Sequence, residues 1–145
     1  MKTNKKVFFL LLATVATFVL LTSCACKMNH NGASLEEIAG DWQVTHINGN
    51  KFLGEEPMTI NFDIKEMRIG GKAICNSYGA PFTLKTSGTI KIKDVFSTLV
   101  GCPGNGFETE YYALLESITY IYVKGQEAFL YKDKNDKQPV IVLKR

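Results

Sequence analysis

Four cysteines, Cys24, Cys26, Cys75 and Cys102, are the residues of this 145-residue chain whose type and spacing bear most directly on chemistry. A thiol can carry a lipid, hold a metal, act as a nucleophile or close a disulfide, and its neighbours decide which. Metal binding finds little support: no Cys-x-x-Cys pair occurs, and neither His30 nor His46 stands at a ligand spacing from a cysteine. Catalysis fares no better. Ser97 and Ser117 lack a nucleophile-elbow context. Gly70-Gly71-Lys72 lacks the upstream glycine and the following Ser or Thr of a phosphate loop, and reads as a bulge or bend in a strand. His46 reads as a hydrogen-bonded, partly buried residue on the same side as Trp42 and Val44, and Glu108, Glu110 and Glu116 read as solvated charges of a helix, Glu108 at the favourable end of its dipole. With no acid, base or nucleophile set, the chain reads as a protein that is not an enzyme, with no cofactor and no metal.

Cys24 has a neighbourhood of its own. Lys2, Lys5 and Lys6 precede an apolar run from Val7 to Leu21, too short and wrongly flanked for a transmembrane helix, which fits a signal peptide. The run closes on Leu21-Thr22-Ser23-Cys24, which resembles a bacterial lipobox. That resemblance implies a diacylglycerol thioether on Cys24, cleavage just before it and acylation of the new amino terminus. Two or three acyl chains, at ~0.8 kcal/mol per buried methylene, hold a protein on a membrane where one chain is marginal. The alternative is an ordinary secretory signal in which Cys24 is incidental. Ala25 stands where an aspartate would signal inner-membrane retention in enterobacteria, which by analogy favours the outer membrane. The lack of an acidic run after Cys24 favours the periplasmic side.

Export places the other thiols in an oxidising compartment. Cys26 sits beside the anchor, whereas Cys75 and Cys102 lie deep in the remaining chain beside turn residues, and these two are expected to pair. Closing that loop is worth about 3.5 kcal/mol in the chain-entropy account. Two buried free thiols are the alternative. Residues 1–23 are thus read as signal peptide, 24–34 as a lipidated tether without periodicity, and 35–145 as one domain. Beyond the signal, 14 basic residues balance 14 acidic ones, so charge supports neither nucleic-acid binding nor a polybasic grip on lipid.

The elements that must position these residues are mostly strands. Met58, Ile60, Phe62 and Ile64 alternate with polar residues, as do Tyr78, Ala80, Phe82 and Leu84, and Ile90 with Ile92. Further strands are expected at Trp42 to Ile47, Met67 to Cys75 with an interruption at Gly70-Gly71, Phe96 to Val100, Thr119 to Val123, Ala128 to Lys132 and Pro139 to Leu143. One helix breaks the pattern: Phe107, Tyr111, Leu114, Leu115 and Ile118 share a face at 3.6 residues per turn, with Asn105 as cap and Glu108 completing a capping box. The fold class is mainly β (α+β), a curved antiparallel sheet or small barrel with one packed helix. The aromatic residues are read mainly as core, with the close pairs Tyr111-Tyr112 and Tyr120/Tyr122 leaving some tyrosine exposed to a partner.

Gly40-Asp41-Trp42, Cys75-Asn76-Ser77-Tyr78-Gly79, Thr98-Leu99-Val100-Gly101-Cys102-Pro103 and Glu108 with Tyr111 and Leu115, in that order, resemble the META domain (HslJ-like) family over nearly all of residues 35–145. Ile74 departs from the glycine that the family often places there. The resemblance implies a compact antiparallel fold with one helix, frequent occurrence on envelope lipoproteins, an association with stress and novobiocin resistance in the enterobacterial member, and no established enzymatic activity. Asn76 and Gly79 suit a tight turn and Pro103-Gly104 the loop entering the helix, so a disulfide would pin the two segments together. The expected function is a lipid-anchored envelope protein that binds an envelope component. The alternative is a small-molecule carrier using a barrel cavity.

Overall fold

In the computed structural model the described residues are 31–101 and 105–145. Val7 to Leu21, Cys24, Cys26, His30, Cys102, Pro103 and Gly104, with the signal, anchor and pairing expectations that rest on them, lie outside the described residues, as does the Asn105 side chain expected to cap the helix. Period-two alternation produces ten strands: β1 (Gly40–Ile47), β2 (Asn50–Lys51), β3 (Thr59–Asp63), β4 (Arg68–Lys72), β5 (Ser77–Leu84), β6 (Ile90–Ile92), β7 (Phe96–Ser97), β8 (Tyr120–Lys124), β9 (Glu127–Tyr131) and β10 (Ile141–Lys144). Among the described residues two helices accompany them, a single turn α1 (Leu35–Ile38) and the longer α2 (Asn105–Glu116).

All strand pairs are antiparallel, in the order β6-β5-β4-β3-β1-β10-β9-β8, with β2 on β1 and β7 on β5. The two ends of the sheet meet where Thr89 bridges Tyr120. There Ile90 N–H donates to the Thr119 carbonyl at 3.0 Å and Ile121 N–H to the Gly88 carbonyl at 2.9 Å. The sheet is therefore a nearly closed barrel, an arrangement that removes most free edges.

Inward-facing Trp42, Ile60, Phe62, Ile69, Ala80, Phe82, Ile92, Ile121, Leu130 and Leu143 form one core with Tyr111, Leu115 and Ile118 of the helical segment. Burying each large apolar side chain contributes about 1.5–3 kcal/mol. Phe62 and Phe82 meet edge-on at 5.6 Å. Tyr120 and Tyr122 lie on the opposite face of β8 from Ile121, their rings beside Tyr131 and Phe129 at 6.1 and 6.0 Å, and Tyr120 is buried there rather than exposed.

The ordered contacts begin before Leu35. Ala33 is buried and its N–H donates to Ile121, and Ser34 with Glu37 makes a reciprocal capping box that starts α1. Gly32 enters the domain against the Ser87-Gly88 turn so closely that a β-carbon on it would stand 2.0 Å from the Ser87 carbonyl oxygen. Trp42 Nε1 donates to the Ile38 carbonyl at 2.7 Å, and the Arg145 guanidinium stacks on the Trp42 ring while donating to the Glu37 and Ala39 carbonyls. Both side chains thereby satisfy orphan carbonyls at the end of α1.

Three expectations are corrected. Gly70 and Gly71 are neither bulge nor bend: both pair in regular register with Gly79 and Tyr78. A β-carbon on Gly71 would lie 2.1 Å from the Thr59 carbonyl oxygen, so close chain approach explains this glycine. The irregularity falls in β1, between Val44 and His46, and it turns His46 to the outer face opposite Val142, away from Trp42 and Val44. Gly79, expected in a tight turn, lies within β5 under the Phe96 ring; the turn is Ala73 to Asn76, closed by Ala73 N–H to the Asn76 carbonyl at 2.9 Å.

Candidate functional site

The motif segments converge at one end of the barrel, where the β4–β5 turn, the chain after β7 and the first turn of α2 meet. Glu108 is buried, not solvated. One carboxylate oxygen accepts from the Cys75 and Asn76 backbone N–H groups at 2.7 and 2.9 Å, and the other from Asn76 Nδ2 at 2.6 Å. These partners lie in the β4–β5 turn, 32 and 33 residues away in sequence, while the expected capping box with Asn105 rests on a side chain outside the described residues. Burial pushes this carboxyl up, but the Asn76 side chain and the backbone N–H groups of Asn76, Cys75 and Ile74 more than offset it, holding the group below its ordinary value of 4.5.

Asn76 is the hub. Its Oδ1 accepts from Thr98 Oγ1 at 2.8 Å and from Val100 N–H at 2.7 Å, while Nδ2 also donates to the Val100 carbonyl at 3.3 Å. These bonds orient the amide uniquely, because a flipped group would turn its N–H₂ towards the Val100 N–H. Glu116, also expected to be merely solvated, accepts from Val95 N–H at 2.9 Å. Among the three helix acids, Glu110 and Glu116 are both exposed as expected.

A tyrosine cluster lies beneath this network. Tyr78 Oη donates to the Thr59 carbonyl at 2.9 Å and shares a hydrogen bond with Tyr111 Oη at 3.0 Å. Tyr112 joins both rings at 5.5 and 6.0 Å. Burial, then the mutual proximity of the phenols, pushes the Tyr78 hydroxyl far up; burial does the same to Tyr111. For Tyr112, burial and the nearby Glu108 charge raise it, with the Ser97 side chain acting the other way. Protonated phenols and an ionised carboxylate with its lone pairs occupied hold backbone in place. They are poorly arranged to exchange protons near neutral pH.

Over this network opens a cleft of about 240 Å³ lined by Asn76, Ser97 to Gly101, Glu108, Thr109 and Tyr112. Leu99 and Val100 stand at it 96% and 54% exposed. Sequence reasoning missed this cleft. Leu99 and Val100 lay in an expected strand, Phe96 to Val100, whereas β7 ends at Ser97 and leaves them outside the sheet.

The family comparison agrees with this convergence, since the META domain family matches residues 33–145. The chain belongs to the META domain family. An NMR structure of a protein from Burkholderia xenovorans shares this META fold with a TM-score of 0.57 at 17% identity, covering 80% of this chain and 88% of that one. No curated protein matches the sequence. Cys75 lies in the β4–β5 turn beside Glu108, and Cys24 and Cys102 are outside the described residues. Among the described residues no group of three or more His, Cys, Asp or Glu side chains forms a metal site. Among the same residues no helix is long and apolar enough to cross a membrane.

Proposed function

We propose that this META domain is the periplasmic part of a non-enzymatic outer-membrane lipoprotein that supports envelope integrity or stress and antibiotic tolerance by binding another envelope component. In this reading Cys24 carries the lipid and Cys75 pairs with Cys102. The observation that carries the binding role is the cleft with Leu99 and Val100 exposed at its wall, over a network that is otherwise internally satisfied. Exposed apolar side chains beside a rigid polar cleft are a recognition arrangement. The placement of chain entry supports it too. Gly32 and Ala33 dock beside Ser87 to Gly88, and the cleft lies beyond the other end of β5, about 24 Å away at the rise of an extended strand. A membrane tether would leave the cleft facing away from the lipid.

The carrier alternative requires room inside the barrel, and that interior is occupied by Trp42, Phe62, Phe82, Tyr111 and their neighbours. Surface binding is therefore favoured. Two measurements in intact cells test the reading. Metabolic labelling with a fatty-acid analogue should mark the protein and be lost in Cys24→Ser; label that persists moves the anchor elsewhere, and none in the parent chain leaves a secreted protein. A photo-crosslinking residue at Leu99 should give discrete adducts absent when it is placed at exposed Lys137. Equal adducts at both sites would refute a binding role for the cleft.

A further inference from the structure

We infer that the outer edge of β7 accepts an extended, uncharged peptide segment as an added strand, in the groove between β7 and the start of α2. This rests on the binding role proposed for the cleft and names its ligand class. The argument begins with register. Thr98 N–H donates to the Ser77 carbonyl at 2.9 Å, and the adjoining pairs are Tyr78 with Ser97 and Gly79 with Phe96. In an antiparallel ladder, bonded and non-bonded pairs alternate. Ser97 opposite Tyr78 is thus a non-bonded pair, and its own N–H and C=O point away from β5.

Two residues earlier the same outward direction is already served, because the Val95 N–H meets the Glu116 carboxylate where a neighbouring strand's carbonyl would stand. At Ser97 no partner for the outward backbone groups is found among the described residues. The edge is therefore blocked at Val95 and open at Ser97, and it opens into the cleft that Ser97 lines. Unpaired strand edges template the addition of another strand.

The opposite wall supplies the second, independent observation. Tyr112 Oη is buried beside the Ser97 side chain, which lies near enough to lower its pKa but forms no hydrogen bond of good geometry with it, and its chemistry allows it both to donate and to accept. An incoming main chain offers both kinds of partner. Leu99 and Val100 add apolar surface for its side chains. Among the described residues Glu108 is the one carboxyl of the lining and no cationic side chain lines the cleft, so a free peptide carboxylate is disfavoured. The ligand is then an internal segment recognised through its backbone, the mode in which main-chain hydrogen bonds give affinity and side-chain pockets give specificity.

The test uses the mature, full-length protein in detergent micelles, uniformly ¹⁵N-labelled, with acetyl-Thr-Val-Thr-Val-Thr-amide as the probe. At saturation the Ser97 amide should shift and exchange its hydrogen about tenfold more slowly. The same peptide methylated on alternate backbone nitrogens in the pairing phase should bind about tenfold more weakly or not at all. Leu99→Asp, at a fully exposed position that leaves the fold intact, should weaken the parent peptide. Equal binding of the methylated peptide, shifts confined to other surfaces, or no shift at Ser97 would overturn strand addition. If adducts still form at Leu99 in cells, only strand addition falls. Peptide binding without adducts in cells would instead remove the envelope partner.

Discussion

Replacing Glu108 by glutamine keeps the shape of the side chain and removes its charge, which makes it a direct probe of the network at the barrel end. The remaining amide oxygen can still accept from the Cys75 and Asn76 N–H groups, but the new N–H₂ faces Asn76 Nδ2, at the 2.6 Å contact the carboxylate makes. Asn76 cannot turn over to help, because its Oδ1 is committed to Thr98 and Val100. One donor-to-donor contact is unavoidable. Losing one charge-assisted hydrogen bond, weakening two others and leaving a donor unmet costs about 2–3 kcal/mol together. For a domain of this length that lowers Tm by about 6–15 °C. Urea unfolding followed by the fluorescence of Trp42, the one tryptophan and a buried one, reads the change directly. Acid gives an independent check. The folded-state carboxyl is depressed, so its stabilisation is present above its ordinary value of 4.5 and is lost as pH falls through the lower folded value. The parent protein should lose that increment on acidification and Glu108→Gln should not. A variant within about 0.5 kcal/mol of the parent, with the same acid response, would refute a stabilising role for the network.

Three further outcomes test other parts of the structure. Leu115→Ala, which empties a fully buried site, should cost about 2–5 kcal/mol in denaturant melts, against less than about 0.5 for the exposed Glu110→Ala; equal effects would place the helix in the wrong phase. Gly71→Ala drives a methyl group to 2.1 Å from the Thr59 carbonyl oxygen and should destabilise by more than about 2 kcal/mol, whereas Gly106→Ala, with open space around it, should be neutral or stabilising. Peptide mapping without reduction should recover Cys75 joined to Cys102, and reduction should cost about 2–4 kcal/mol without abolishing the fold; both recovered as free thiols from alkylated envelope protein would sink the pairing.

Local periodicity was readable and long-range polar pairing was not. The alternation of Tyr78, Ala80 and Phe82, and the spacing of Tyr111, Leu115 and Ile118, depend only on which face is apolar, and all six are buried as expected. Glu108 followed a different rule. At a helix start an acid is well placed in water, and nothing adjacent in sequence reveals that the turn 32 residues away will present N–H groups to it. His46 shows the same limit for a strand, since a one-residue bulge at Thr45 reverses its face without any glycine to mark it. The family motif identified Asn76, Thr98 and Glu108 as a set, while their mutual hydrogen bonds emerged only when three separated segments were brought together. The open backbone of Ser97 was least accessible to inspection of residues, because it is a property of register and not of side-chain type.

The contact of Gly32 with the Ser87-Gly88 turn determines how the domain would carry mechanical load. A pull on the chain ahead of Gly32 is delivered first to the Ala33 to Ile121 hydrogen bond and to the short seam where the sheet ends meet, not to the distant Asn76 network. Swelling or shear of a membrane to which that chain was moored would thus strain the seam first. The end that holds the Asn76 network would keep its shape while the barrel yields beside Gly32.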